Sequence, residues 1–576
     1  MKTEIISTGN GLAVSVDGKT VIPAAYMSYL PDKADYDGFI KAGYDLYCCC
    51  VFMGDCTINE LSGVRPFARS VWKSEDEYDF SPVAEAIKKV VAKRDRQVYV
   101  ILRINLNAPA WWREKYPEEL TLMSDGKRYM QSVFSERWLS DSEKFIGKLD
   151  DFIENSEFSE SVIGYQLAAM QTEEWIAMCS PDGELDFSEP ARKAYKTWVK
   201  NGGNGAEEPD FPPFTDFALR TAKALEYLEF FNEGFASAIC GLCSFAKQKT
   251  GDKRLIGVFY GYIGQLPANR GHCAFSRVLE SPFVDFFASP FSYAGSRQTA
   301  EDWFYHGATE SVKRKGKLWF MEADVRTFRT KKLYETDPGL MSGEHTVKYF
   351  DHPVFTGPKN LSDSLAVMLK AFSKVLISGN AFWWFDMWGG WYSSRQMMTE
   401  IARMAELYKK SFYIPTESVT ELAVVLNEKA SYHIPDDRFS DMSFGQLREL
   451  GFIGAPYDLY ASGDDVKKYK AALYILPDGD ENVLRSESVE IRKRGVFSHG
   501  EITAFIKSAG AHIYSEGNIV YANSRFVAIT AREEGRVTLE TPREETLSAF
   551  YGKGLFQGKK FDFYFRENHT ELFEIL

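Results

Sequence analysis

The stretch "KLWFMEADVRT", residues 317–327, runs through mostly apolar positions and then ends in a glutamate, an aspartate and an arginine. Consecutive rather than alternating apolar residues mark a strand buried on both faces, the habit of parallel sheets. A buried strand gains little by ending in charges unless the charges are used. The same apolar pattern recurs in "VIPAAYMSYL" (21–30), "DLYCCCVF" (45–52), "QVYVILRINL" (97–106), "VIGYQLAA" (162–169), "RLIGVFYGYI" (254–263), "VDFFASP" (284–290) and "NAFWWFD" (380–386). Between the runs lie segments with apolar residues at three- and four-residue spacing: "SPVAEAIKKVVAKRDR" (81–96), residues 215–251 and "LSDSLAVMLKAFSKVLISG" (361–379). The last two end at Gly, a helix-stop signal. Eight strands joined by crossovers predict a (β/α)8 TIM barrel; a doubly wound sheet is the alternative, which the count of eight disfavours.

Past "KSFYIPTES" (410–418) the pattern shortens. "VTELAVVLN" (419–427), a helix around 443–451, "KKYKAALYILPDG" (467–479) and a helical 500–515 repeat the βαβα order, predicting a flavodoxin-like α/β domain. From about residue 516 short strands and turns predict a small antiparallel β domain. The expected division is 1–414 for the catalytic barrel, 415–518 for the flavodoxin-like domain with a role in oligomerisation, and 519–576 for a small β-sandwich-like domain.

The 576 residues carry a net charge of −13, which argues against nucleic acid or an anionic membrane as the main partner. "MKTEIISTGNGL" lacks the apolar core of a signal peptide, and no apolar run approaches the roughly 20 residues of a membrane span. The eight cysteines, among them "CCC" at 48–50, Cys56 and the pair Cys240 and Cys243, form no disulfide framework. These features predict a cytoplasmic protein with reduced thiols. "CGLC" lies deep in a helical pattern, without the helix N-terminus that stabilises a redox thiolate. "CCC" with Cys56 lacks a histidine set at zinc spacing and reads as core. The glycines of "GNGLAVSVDGKT" suit hairpin turns rather than a phosphate loop. No metal and no organic cofactor are expected.

In such a barrel the active site lies at the C-terminal strand ends. The third run ends in Arg103, Asn105 and Asn107. The fourth leads to "MQTEEW" with Glu173, Glu174 and Trp175, and the fifth ends in Tyr260 and Tyr262. Ser292 and Tyr293 follow the sixth; Glu322, Asp324 and Arg326 end the seventh; Trp384, Asp386, Trp388 and Trp391 end the eighth. Carboxylates on opposed strands four and seven, ringed by aromatic residues, suit a sugar: its apolar faces stack on rings and its hydroxyl edges need polar partners. They also suit glycosidic cleavage, in which one carboxyl protonates the leaving oxygen and the other attacks or activates water. Each residue has a plainer reading too. Glu322 as a surface strand end, Trp384 as core, Asp324 and Asp386 as groups that orient others, and Arg103 and Asn105 as barrel-mouth ion-pair partners are the alternatives.

"LNAPAWWREKYPEEL", "VIGYQLAAMQTEEW", "KLWFMEADVRT" and "LGFIGAPYDLY" with "YKAALYILP" together resemble clan A glycoside hydrolases, most closely the family 42 β-galactosidase type, over nearly the whole chain. The resemblance implies a retaining, exo-acting β-glycosidase acting on short β-linked oligosaccharides or glycosides, with Glu322 as nucleophile and Glu173 as acid/base. Glu174 is the alternative acid/base. It implies substrate contacts from Arg103, Asn105, Trp175, Tyr260, Tyr293, Asp324, Arg326, Trp384, Asp386 and Trp388, and a homotrimer. Tyr293 is expected to donate to the nucleophile. The clan has Asn directly before its acid/base Glu, whereas Thr172 precedes Glu173 here. β-Galactosides come first as substrates, then β-glucosides or β-mannosides; a sugar-binding relative without turnover is the reading from another class. Retention requires catalytic carboxyls roughly 5–5.5 Å apart. Strand alternation predicts that Glu173 and Glu174 do not both face the cleft.

Overall fold

The computed structural model describes every residue except 56–61, 68, 93–94, 181–182, 206–218 and 553. Cys56 and the starting residues of the helix expected over 215–251 lie outside the described residues. All eight expected runs form strands: Ala24–Met27, Leu46–Phe52, Tyr99–Asn105, Val162–Ala168, Leu255–Phe259, Phe286–Pro290, Leu318–Ala323 and Ala381–Phe385. They pair in parallel, in chain order, into a closed barrel. Every residue of the last six is buried, because side chains on one face fill the barrel while the other face meets the helices. Room for the inner layer is tight: a Cβ on Gly257 would lie 2.2 Å from the Phe286 ring.

The crossovers follow the helical spacing. Ala222–Thr250 stops at Gly251 and Leu361–Ser378 at Gly379, whose φ of 63° is left-handed. Ser81–Val91 is shorter than its apolar pattern. Cys240 and Cys243 sit inside the long helix as free thiols, raised by burial. The N-terminal glycines do turn a hairpin, Thr3–Ser7 against Leu12–Val16.

Beyond the barrel, Leu422–Leu426, Tyr457–Ala461 and Ala471–Ile475 form a parallel core, with helix Asp436–Leu450 in the first crossover. An antiparallel hairpin, Asn482–Ser486 and Glu490–Lys493, extends one edge and makes the sheet mixed. The expected βαβα order did not include that hairpin, whose first strand buries Asn482, Val483 and Leu484 and whose second, Glu490–Lys493, is mostly exposed. The closing helix is His499–Ser508, ending before the stretch assigned to it. Five antiparallel strands from Ile519 to Ile575 complete the chain. Gly535–Ala549 has a register irregularity between Glu540 and Glu545, and Val537 and Phe565 from one side share a core with Val527 and Phe573 from the other.

A buried ion pair ties these parts together. Lys374, on helix Leu361–Ser378, bonds Asp302 at 2.8 Å, and Asp302 also accepts from Tyr457 at 3.2 Å and Tyr521 at 2.6 Å. The two tyrosines come from the mixed sheet and the antiparallel sheet. Burial alone would raise the Asp302 pKa, but Lys374 outweighs it and holds the carboxyl below its ordinary range.

Candidate active site

Arg103 is the centre of the barrel mouth. It is 1% exposed, and its guanidinium lies among the rings of Phe259, Trp383 and Phe385, 4.6, 5.3 and 5.6 Å from their centroids. Burial opposes its charge; Glu322, Tyr29 and Glu173 more than compensate. Its Nη2 donates to Glu322 Oε2 at 2.7 Å, and its Nη1 lies 3.6 Å from Glu173 Oε2. One cation therefore serves two carboxylates from opposed strands.

Glu322 ends its strand facing inward, in register with Trp383 on the next strand. Trp383 Nε1 donates to Glu322 Oε2 at 3.3 Å. Glu173 has no exposed surface. Its Oε2 accepts from the Tyr29 hydroxyl at 2.6 Å and its Oε1 from Asn105 Nδ2 at 3.1 Å. Burial raises its pKa, opposed by Arg103, Tyr29 and Asn105.

Glu174 differs from its neighbour in each respect. It is partly exposed as a residue, although neighbouring atoms enclose its carboxyl group. Its Oε1 accepts from the Tyr262 hydroxyl at 2.9 Å. Burial and then the charge of Glu322 push its pKa up to about 7, against the hydrogen bonds from Thr172 and Tyr262. Its carbonyl faces His272 Nε2 at 3.0 Å. The Tyr262 N–H donates to His272 Nδ1, so the proton of this imidazole sits on Nε2. Burial takes His272 down to about 3 and keeps it neutral.

Both glutamates therefore reach the mouth, contrary to the alternation argument. The strand ends at Ala168, and Met170, Thr172, Glu173 and Trp175 all have φ between 56° and 66°. Left-handed backbone rotates each side chain away from the strand pattern, at a cost of order 1–3 kcal/mol per residue. Neighbours hold the loop in place. Asn107 accepts from the Met170 N–H at 2.8 Å and donates to its carbonyl at 3.1 Å, and Trp175 Nε1 donates to the Leu167 carbonyl at 2.9 Å.

Several expected contacts fall elsewhere. Trp384 is fully buried and donates to the Tyr44 hydroxyl at 2.7 Å, on the helix side of its strand. Adjacent strand residues face opposite ways, and the inward tryptophan is Trp383. Asp386 shares the outward phase: it accepts from Tyr26 at 2.8 Å and from the N–H groups of Gly390 and Trp391, and burial raises it to about 6. It organises the loop rather than facing the mouth. Trp175 packs on Trp138 in the core, and Tyr260 donates to the Gly271 carbonyl and stacks on His272. Tyr293 donates to Asp324 at 3.2 Å and not to Glu322. Asp324, 0% exposed, pairs with both Arg297 and Arg326. Trp388 packs on Tyr29 and Phe67, beside the mouth.

Tyr29, Trp383, Gln166 and Arg297 are the contributors that the sequence reading passed over. Gln166 accepts from Arg103 Nε at 3.4 Å and is in strand register with it. Tyr29 lies within the first run, just past the end of strand Ala24–Met27. Among the described residues no group of three or more His, Cys, Asp or Glu is placed to hold a metal ion, and no helix is long and apolar enough to cross a membrane.

The chain matches no family model and no curated protein. It does match solved structures along nearly its whole length. A β-galactosidase from Bacillus circulans sp. alkalophilus is 11% identical, with 96% of this chain and 98% of that chain covered and a TM-score of 0.57. Gan42B, a GH42 β-galactosidase from G., is 10% identical over 99% and 100%, with a TM-score of 0.59. A GH42 exo-carrageenase from Bacteroides ovatus is 12% identical over 100% and 84%, with a TM-score of 0.57. The chain has the GH42-like clan A fold of these glycoside hydrolases.

Proposed function

We propose that the protein is a retaining β-glycosidase with Glu322 as nucleophile and Glu174, rather than Glu173, as acid/base. The observation that carries this reading is the unequal pair of glutamates opposite Glu322. Glu173 is sealed and ion-paired, whereas Glu174 is partly exposed with a pKa of about 7, suited to holding a proton and then losing it. Glu322 attacks the anomeric carbon, the glycosidic bond breaks, and the leaving oxygen takes the Glu174 proton. Water then gives a proton to Glu174 and its oxygen displaces Glu322, releasing the sugar with its β configuration. Such a route requires the two carboxyls roughly 5–5.5 Å apart.

β-Galactosides are the first substrates to try, because several structural neighbours are described as β-galactosidases; β-glucosides and β-mannosides follow. A homotrimer is the assembly proposed, and light scattering at 65.5 kDa would exclude it. A panel of nitrophenyl β-glycosides tests the reaction. Release from at least one, with retention seen by NMR, is expected. Silence across the panel alongside measurable sugar binding would replace the enzyme with a binding protein.

A further inference from the structure

We infer that Glu173 is a positioning residue that divides Arg103 between two carboxylates and thereby leaves Glu322 lightly held and reactive. The inference rests on the reading of Glu322 as nucleophile. A guanidinium offers parallel N–H groups that pair best, in bidentate fashion, with a single carboxylate. Here they are split, Nη2 to Glu322 at 2.7 Å and Nη1 to the Tyr29 hydroxyl at 3.4 Å with Glu173 behind it at 3.6 Å, while Nε turns to Gln166 at 3.4 Å. The rings of Phe259, Trp383 and Phe385 bound the guanidinium.

Glu173 cannot leave its place easily. Tyr29 and Asn105 hold one oxygen each, and the left-handed loop carries the residue into a position with no exposure. Of the other ionisable groups facing this arrangement, Tyr29, Cys48, Cys50, Tyr262 and Tyr293 stay neutral because burial pushes their pKa values up, while Glu174 and the Asp324-paired Arg297 and Arg326 face Glu322 from its other side. Among the groups that touch Arg103, the balance is one cation against Glu173 and Glu322. Remove the Glu173 charge, and Glu322 is the one carboxylate that Arg103 still pairs with. A carboxylate gripped by both ends of an arginine is less basic and a poorer nucleophile.

The test compares full-chain wild type with E173Q on whichever aryl β-glycoside the wild type cleaves. In E173Q, kcat should fall about tenfold with KM little changed, and the acidic limb of the pH profile should move down by about one pH unit. The basic limb, which belongs to Glu174, should stay. Y29F, which frees one Glu173 oxygen and one Arg103 N–H without removing either charge, should move the acidic limb the same way by less, and it serves if E173Q does not fold. A crystal structure of E173Q provides a readout without turnover: both terminal nitrogens of Arg103 should lie on Glu322. Unmoved limbs with Arg103 still divided would overturn the inference. So would loss of the basic limb with azide rescue giving a β-azide, which would make Glu173 the proton donor. If the wild type cleaves no glycoside, the proposed function fails, and the crystal structure still decides how Arg103 is shared.

Discussion

Two arginine–carboxylate clusters meet at the barrel mouth with opposite stoichiometry. In the first, Arg103 is shared by Glu173 and Glu322. In the second, Asp324 is shared by Arg297 and Arg326. The charges of Arg297 and Arg326 are felt by Glu322, so the clusters form one field. Yet they do different work. The carboxylate-rich cluster gives Glu322 only a share of its arginine, which is the condition of a group that must react. The arginine-rich cluster saturates its single acid, which is the condition of a group that must stay still. Tyr293, resting on Arg297 with its hydroxyl on Asp324, belongs to the second.

The comparison breaks most sharply at Glu322. Glu322→Gln should lower kcat at least about 10^4-fold, because an amide does not form the covalent intermediate. The melting temperature should hardly fall. A residual rate within about tenfold of wild type would move Glu322 into the structural class.

Asp324→Asn should do the reverse. It leaves two buried guanidiniums without an ionised partner, a change worth about 3–5 kcal/mol of stability. Urea unfolding measures it, and the protein that remains folded should still react with a good leaving group. A loss below about 1 kcal/mol would show that water reaches this cluster and screens it.

The pH dependence tests the unequal glutamates. The protonated form of Glu174 is the donor, so kcat/KM should fall as pH rises through about 7. Glu174→Gln should erase that limb and spare substrates with good leaving groups. The sign for stability is fixed by the same shift. A carboxyl whose pKa is raised by folding binds its proton more tightly in the native state. Its contribution is complete below the ordinary glutamate range and is lost as pH climbs to about 7. Thermal unfolding of Glu174→Gln should lack that slope.

How far the sequence could be read follows from the same residues. The barrel was visible because eight apolar runs each needed burial on both faces, as parallel sheets provide, and a count of eight favours closure. Glu322 was visible because charge at the end of such a run is costly. Phase was not visible. "FWWFD" contains two adjacent tryptophans, one of which must face each way, and apolarity does not distinguish them. Reading the phase one residue off assigned Trp384 and Asp386 to the cleft in place of Trp383. The fourth strand end was opaque for another reason: left-handed backbone at Met170, Thr172, Glu173 and Trp175 is imposed by tertiary contacts, and none of these residues is a glycine that would have announced it.

The two tryptophans give the smallest and most discriminating pair of variants. Trp383→Phe keeps the ring in the barrel but removes the Nε1 donor that touches Glu322. A bond of 3.3 Å to a carboxylate is weak, so kcat should drop by about tenfold, equivalent to about 1.4 kcal/mol. Stability should fall by about 1–2 kcal/mol, because buried volume is lost although Arg103 still holds the same oxygen. Trp384→Phe removes the donor to the Tyr44 hydroxyl and some buried volume between strand and helix. It should cost about 1–2 kcal/mol in denaturant titration and leave kcat within about twofold. The two effects must not exchange. If Trp384→Phe silences turnover while Trp383→Phe does not, the strand sits in the opposite phase, and Glu322, its register partner at Trp383, would no longer point into the mouth.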